Sequence, residues 1–360
     1  MTLTFAHHPA IPTAEELRAA VLADPGFGTR FTDHMVTAVW TPDVGWHDAG
    51  VHPYAPLSMD PASAVLHYAQ AIFEGLKVYR HADGSVWAFR PAANAVRFQA
   101  SARRLALPEL EAEDFVAAID ALVSADQAWV PGAAETSLYL RPFMFASEAF
   151  LGVRPANEVT FCVIASPAGP YFATGVAGVS IWLSTDFSRA APGGTGAAKC
   201  AGNYAASLLA QQQAARHGCQ QVVFLDAVER TWVEELGGMN LFFVHDDGTL
   251  VTPELTGTIL EGITRSSILT LAAEQGLDVV ERKVSIEEWQ AGARNGQIRE
   301  VFACGTAAVV TPVAKLAWDG GEVPIGDGEP GPVTLALRGA LVDLQYGRVD
   351  DRHGWMHRIC

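Results

Sequence analysis

The chain has 360 residues, 49% apolar and 18% charged, with a formal net charge of −16. This composition excludes a chain too polar to build a core, and the length suggests two domains or one large one. So acidic a balance disfavours nucleic acid and anionic membrane surfaces as partners.

In chain order, "FTDHMVTAVW" reads as a strand. "DPASAVLHYAQAIF" reads as a helix with Asp60 as N-cap and Pro61 at its first position. "GLKVYRHADGSVWAFR" reads as a hairpin closing on Asp83-Gly84. "PAANAVRFQASARRL" and "AEDFVAAIDALVSAD" read as helices, then "TSLYLRPFMFA" and "EVTFCVIAS" as strands. The Pro- and Gly-rich "PAGPYFATGVAG" breaks the pattern. It predicts a first domain over 1–166, an interdomain loop over 167–178 and a second domain over 179–360. Beyond it, "VSIWLST" reads as a strand and "AASLLAQQQAARHG" as a helix ending at Gly218. "QQVVFLDA" and "TWVEELGGMNLFFVHDDGTLVT" add strands. "ITRSSILTLAAEQG" is a helix stopped by Gly276, and Ser285 with Glu288 forms a capping box for another. Helices and hairpins in mixed order predict an α+β fold.

Five widely spaced cysteines with no C-x-x-C pair fit reduced thiols in a cytoplasm. The start "MTLTFAHHPAIPTAEEL" lacks the basic and apolar regions of a signal peptide, and no apolar run reaches the ~18 residues of a membrane span. The eleven histidines are scattered; "HDAGVH" and "HADG" read as turns, and no metal site is expected.

The segment "GGTGAAKCAGNYAA", Gly193 to Ala206, sets a lysine among small residues. A phosphate loop needs G-x-x-x-x-G-K-S/T. Here Ala198 replaces the second glycine and Cys200 the hydroxyl residue, which disfavours a nucleotide-binding loop. A nucleophilic Lys199 is the alternative; it would need desolvation. A pyridoxal phosphate site would also need a carboxylate for the ring nitrogen, a hydroxyl for the ring oxygen and an anion site. Glu234 and Glu235, Tyr204, the helix start at Ile263-Thr264, and Thr306 in "FACGTAAVV" are candidates.

These segments, together with "FGTRFTDHMVTAVW", "LHYAQAIFEGLKVYR", "FRPAANAVRF", "TSLYLRP", "GPYF", "EELGGMNLFFV", "LEGITRSSIL", "REVFACGTAAVVTPV" and "LQYG", run in an order and spacing that resembles the branched-chain amino-acid aminotransferases. These are fold-type IV pyridoxal-phosphate enzymes. The resemblance implies a smaller α/β N-terminal domain and a larger C-terminal pseudo-barrel domain, pyridoxal 5'-phosphate as cofactor, and a homodimer.

Residue by residue, it implies that Lys199 is the Schiff-base lysine, Glu235 the carboxylate on the pyridine nitrogen and Tyr204 the hydroxyl on the ring oxygen. Arg97, Ile263, Thr264 and Thr306 are implied as phosphate contacts, with Arg189 near the site. Tyr139 and the backbone N–H groups of Thr306 and Ala307 match binders of the substrate carboxylate, with Arg141 beside Tyr139. Phe27, Tyr68, Phe73 and Tyr171 match the apolar side-chain pocket. Two departures stand out. Ala308 and Thr311 occupy the positions where animal relatives carry a redox C-x-x-C, and Gly238 stands where relatives often have threonine. The expected reaction is transamination between leucine, isoleucine or valine and 2-oxoglutarate. The rivals are a fold-type IV lyase acting on a chorismate-derived substrate, a D-amino-acid aminotransferase and a degenerate phosphate loop.

Overall fold

The computed structural model describes residues 2–169 and 176–360. It divides into two compact units. The first comprises Met1–Tyr171, Ala198–Ala201 and Leu344–Cys360; the second comprises Phe172–Ala197 and Gly202–Asp343. Each has its own nine-stranded sheet, giving the mixed α+β fold expected from the element order.

In the first unit the strands are β1 (Ala6–His7), β2 (His34–Thr41), β3 (Gly45–Pro53), β4 (Ala71–Phe73), β5 (Leu76–Arg80), β6 (Val86–Phe89), β7 (Ser137–Ala146) and β8 (Val159–Ala168). They pair in the order β1-β3-β2-β8-β7-β5-β6, and the C-terminal strand Met356–Arg358 closes on β6. That pairing is why the chain's last residues count with the first unit. β7 and β8 form the longest pairing, ten residues from Ser137↔Ala168 to Ala146↔Val159. The helices are α1 (Glu15–Ala23), α2 (Ala64–Tyr68), α3 (Pro91–Arg104) and α4 (Ala112–Ala125). Buried positions on α3 and α4 recur at helical spacing, and Phe98, Phe115 and β8's Phe161 meet with centroids 5.3–6.3 Å apart. Each such ring contributes about 1.5–3 kcal/mol by leaving water.

Two expectations are corrected here. The segment 60–73 is not one helix. Asp60 accepts the Ala62 N–H in a turn, α2 runs only five residues, and Ala69 ends it in the left-handed region at φ 50°. Ala71–Phe73 then leaves as β4 and pairs with Phe143–Phe145 of β7. Sheet hydrogen bonds to a distant segment override the local helical pattern. "HDAGVH" lies inside strand β3 rather than in a turn.

The second unit holds β9 (Val179–Ser184), β10 (Gln221–Leu225), β11 (Val233–Leu236), β12 (Asn240–His245), β13 (Leu250–Thr252), β14 (Val279–Glu281), β15 (Ile298–Gly305), β16 (Val309–Trp318) and β17 (Gly321–Pro324). Their order is β11-β10-β9-β16-β15-β12-β13-β14, with β17 on β16. Phe242 and Phe302 are cross-strand partners whose rings stack at 5.0 Å, and Phe243 meets Trp289 edge-on at 5.1 Å. The helices are α5 (Ala201–Arg216), α6 (Ile263–Glu274), α7 (Ile286–Asn295) and α8 (Pro332–Gln345), the last running on into the chain's C-terminal segment. Gly218 and Gly276 take φ 70° and 79° just past α5 and α6, as their stop positions predict. Ser285 caps α7 by accepting the Glu288 N–H at 3.0 Å. The Glu288 carboxylate instead pairs with Arg282.

Candidate active site

The predicted residues fall into two groups, one in each unit. In the first, the main chain of Lys199 is pinned on both sides. Its N–H donates to Ser101 Oγ at 2.9 Å, and its carbonyl accepts the Phe73 N–H at 3.0 Å. Cys200 adds an isolated bridge to Ile72. The departure of β4 from the helical pattern therefore creates the edge that holds the lysine. Lys199 Nζ stands 4.7 Å from the centre of the Phe73 ring, and the Arg141 guanidinium also stands 4.7 Å from it. Burial, then the charge of Arg97, push the Lys199 amine down to about 8; Glu74 and Tyr139 oppose this, and Arg141 adds to it.

Phe73 opens a run of three residues that each serve a different neighbour. Glu74 is fully buried and grips Arg97 through two bonds of 2.7 Å, from Nε to Oε1 and from Nη2 to Oε2. Asn94 Nδ2 and the Gly75 N–H also donate to Oε2, at 2.7 and 3.2 Å. Breaking such a buried pair from one side typically costs about 3–5 kcal/mol. At Gly75, a Cβ would lie 2.0 Å from Tyr139 Oη, so only glycine leaves room for that hydroxyl. Tyr139 is buried, meets Phe27 edge-on at 5.1 Å and accepts from Arg141 Nη2 at 3.0 Å. Arg141 Nε is buried with no hydrogen-bond partner among the described residues.

The partners on α3 share one stripe. Asn94, Arg97 and Ser101 are three and four residues apart, the spacing that aligns side chains on one helix face. The same helix uses Ala95, Phe98 and Ala102 for the core. Sequence reading singled out Arg97 and missed Glu74, Gly75, Asn94 and Ser101. The available signal was the polar spacing within "NAVRFQAS" and the "FEG" that precedes β5.

In the second unit, β11 carries Glu234 and Glu235 on opposite faces, as alternation along a strand requires. Glu235 is buried; its Oε1 accepts the Leu260 N–H at 2.7 Å and pairs with Arg189 Nη1 at 3.1 Å. Arg189 also donates to the carbonyls of Thr258, at 2.9 Å, and Gly196, at 3.3 Å. Gly196 is needed where it is, because a Cβ there would lie 2.3 Å from the Thr258 carbonyl oxygen. The loop before Lys199 thus spends this glycine on a close backbone approach.

Glu234 turns the other way. It accepts from Thr258 Oγ1 and lines a cavity of about 210 Å³ with Trp232, Ile259 and Lys283. Burial raises its pKa.

Tyr204 lies on α5. A Cβ at Gly238 would lie 3.4 Å from Tyr204 Cε1, in van der Waals contact with the ring. Ile263 and Thr264 open α6 behind Gly262. Thr306 and Ala307 lie in the turn joining β15 to β16, which Val309 closes at φ 62°. A β-branched residue rarely takes that conformation. Tyr68 makes other contacts: it is 40% exposed, and its hydroxyl donates to the Leu151 carbonyl at 2.5 Å. Tyr171 lies outside the described residues.

The family model for amino-transferase class IV matches residues 71–316. The chain belongs to that class. It is 60% identical over 351 residues to a probable branched-chain-amino-acid aminotransferase of Streptomyces coelicolor, covering 97% of each chain. Among solved structures it is similar to the Escherichia coli branched-chain amino acid aminotransferase, with TM-score 0.76 and 30% identity over 90% of this chain and 99% of the other. It is also similar to the branched-chain amino acid aminotransferase of Thermobaculum terrenum in its PLP-form, with TM-score 0.73, 26% identity and coverage of 90% and 98%. Within its class the chain is a member of the branched-chain-amino-acid aminotransferases.

Proposed function

We propose that this aminotransferase moves an amino group reversibly between L-leucine, L-isoleucine or L-valine and 2-oxoglutarate, with pyridoxal 5'-phosphate as cofactor. The observation that carries the reading is Lys199: a lysine amine held beside an aromatic ring, with its proton affinity lowered to about 8. At pH ~7 roughly one such amine in ten is neutral, against fewer than about one in a thousand at the ordinary value of 10.5.

The residues present fit the cofactor. The set of groups includes this amine and the Arg97 guanidinium paired with Glu74. The set also includes the buried carboxylate of Glu235, the Tyr204 hydroxyl and the start of α6 at Ile263. In this reading Glu235 keeps the ring nitrogen protonated and Tyr204 bonds the ring oxygen. Arg97, Ile263, Thr264 and Thr306 hold the phosphate, by charge and by backbone N–H groups at a helix start. Arg189 acts through Glu235, which it orients.

When bound, pyridoxal phosphate supplies the electron-withdrawing ring that acidifies the Cα–H of the amino acid joined to it. Lys199 Nζ would be the base that takes up and holds that Cα proton. Tyr139 Oη and the N–H groups of Thr306 and Ala307 orient the α-carboxylate. Phe27 and Phe73 bound an apolar pocket that excludes water. The Arg141 guanidinium beside Tyr139, whose Nε has no hydrogen-bond partner among the described residues, is the cation for the second carboxylate of glutamate.

A homodimer and a cytoplasmic location belong to the same reading. The side chains of Leu66, Tyr68, Leu151 and Val153 are 40–88% exposed around α2 and the segment bonded to it, an apolar face suited to a second copy. All five cysteines are free thiols, as a reducing compartment favours.

The test is an amino-transfer assay of the purified protein with 2-oxoglutarate and each of L-leucine, L-isoleucine, L-valine and D-alanine, joined to borohydride reduction and peptide mapping. Turnover of the three L-amino acids and a reduced cofactor on the Lys199 peptide are expected. Turnover of D-alanine alone, or a cofactor on another lysine, would overturn the reading.

A further inference from the structure

We propose that Glu74 is a positioning residue for anion capture: it fixes one edge of the Arg97 guanidinium and so aims the opposite edge at the cofactor's phosphate. The inference rests on the reading above that Arg97 meets that phosphate.

An arginine side chain has several freely rotating bonds and considerable rotamer entropy, and a fixed fork loses less of it when an anion arrives. Glu74 supplies that fixation by taking both Nε and Nη2 of Arg97 at 2.7 Å. Because the guanidinium is planar, holding two of its nitrogens also sets the direction of the edge that carries Nη1.

Glu74 is itself held. Its Oε2 accepts from Asn94 Nδ2 and from the Gly75 N–H, and its own N–H donates to the Pro142 carbonyl at 2.7 Å. Carboxylate, helix α3 and strand β7 are therefore tied at one point. The arrangement also sets the local charge. Lys199, Arg97 and Arg141 bring three cations together, and Glu74 is the carboxylate that acts on the Lys199 amine against the two arginines. A carboxylate that served only to neutralise would not need both guanidinium nitrogens and two further donors. This geometry orients as well as neutralises.

The experiment measures binding, not turnover. Apo protein is titrated with pyridoxal 5'-phosphate and, separately, with pyridoxal, which lacks the phosphate. Wild type, Glu74→Gln, Glu74→Asp, Arg97→Leu and the Glu74→Gln/Arg97→Leu double variant are compared. Glu74→Gln is expected to weaken pyridoxal phosphate binding about tenfold or more, the scale of losing a group that orients a ligand-binding side chain, while pyridoxal changes less than about twofold. Glu74→Asp keeps the charge but is too short to span both nitrogens, and falls between. In the Arg97→Leu background, Glu74→Gln adds no further loss.

Amine labelling of apo Lys199 against pH adds a second readout. Its midpoint moves down in Glu74→Gln and stays near wild type in Glu74→Asp. If a folded Glu74→Gln variant binds pyridoxal phosphate as wild type does, the proposal is wrong. It is equally wrong if the two ligands weaken together, which a merely structural role would produce. Should Glu74→Gln not fold, an unchanged pyridoxal phosphate affinity in Glu74→Asp overturns it instead. If Arg97→Leu binds pyridoxal phosphate as tightly as wild type, the phosphate assignment fails and the proposal with it.

Discussion

Glu234 and Glu235 are consecutive in one strand and serve opposite faces of it. Glu235 pairs with Arg189 and accepts from the Leu260 N–H, whereas Glu234 meets the Thr258 hydroxyl and lines a cavity that Glu235 does not. Thr258 meets one carboxylate and the partner of the other: its side chain donates to Glu234, and its carbonyl accepts from Arg189. If Glu235 is the carboxylate that keeps the ring nitrogen protonated, neutralising it should be costly, and neutralising its neighbour should not. Glu235→Gln is expected to lower kcat about a hundredfold or more, and Glu234→Gln less than about threefold. Steady-state kinetics of the two variants, with stability checked by thermal melting, decides between them; the reverse ranking would exchange their roles.

Lys199 carries the proton in the proposed reaction. Lys199→Ala should retain some cofactor binding through the groups on the phosphate and lose multiple turnover almost entirely. Single- and multiple-turnover assays with L-leucine separate the two effects.

The same lysine should make the apo protein less stable. Its folded pKa of about 8 lies below the ordinary 10.5, so between these values the unfolded state binds more protons and stability rises with pH. Below pH ~8 the full cost is present; above pH ~10.5 it is gone. Lys199→Met should thus stabilise the apo protein by on the order of 2–3 kcal/mol at pH ~7, and by less and less as pH rises through that window. Urea unfolding at several pH values reads this directly. A gain that does not shrink with pH would place its origin elsewhere.

Gly75 tests the placement of Tyr139. Gly75→Ala puts a methyl group 2.0 Å from Tyr139 Oη and must move the ring. If Tyr139 holds the α-carboxylate, KM for L-leucine should rise about tenfold or more, and Tyr139→Phe should raise it in the same direction. The comparison of KM with kcat in both variants is the measurement.

The apolar face around α2 gives a prediction about assembly. Leu151 and Val153 are 69% and 88% exposed. A charged residue buried in an interface without a partner is strongly unfavourable, so Leu151→Asp should shift a dimer toward monomer. Sedimentation velocity at several concentrations reads the change; a wild-type monomer would remove this face from consideration.

Much of this protein is decided locally and is legible in its sequence. The α3 and α4 helices follow from apolar spacing, and α5 and α6 end beside glycines that take the left-handed conformation. The hairpins follow from alternation and turn residues, and the ordered motifs around Lys199 carry the family. Tertiary structure decided what depends on partners far along the chain. Ala71–Phe73 becomes a strand because β7 offers it hydrogen bonds, and in doing so it gives Lys199 a backbone to lean on. Glu74, Gly75, Asn94 and Ser101 read as ordinary helix and strand residues until Arg97, Tyr139 and Lys199 are brought to them. No local pattern distinguishes Glu234 from Glu235; the choice lies in what packs on each face of the strand. Local propensity is a property of neighbours in sequence, whereas a site is built from contacts between residues far apart along the chain, and only folding supplies those.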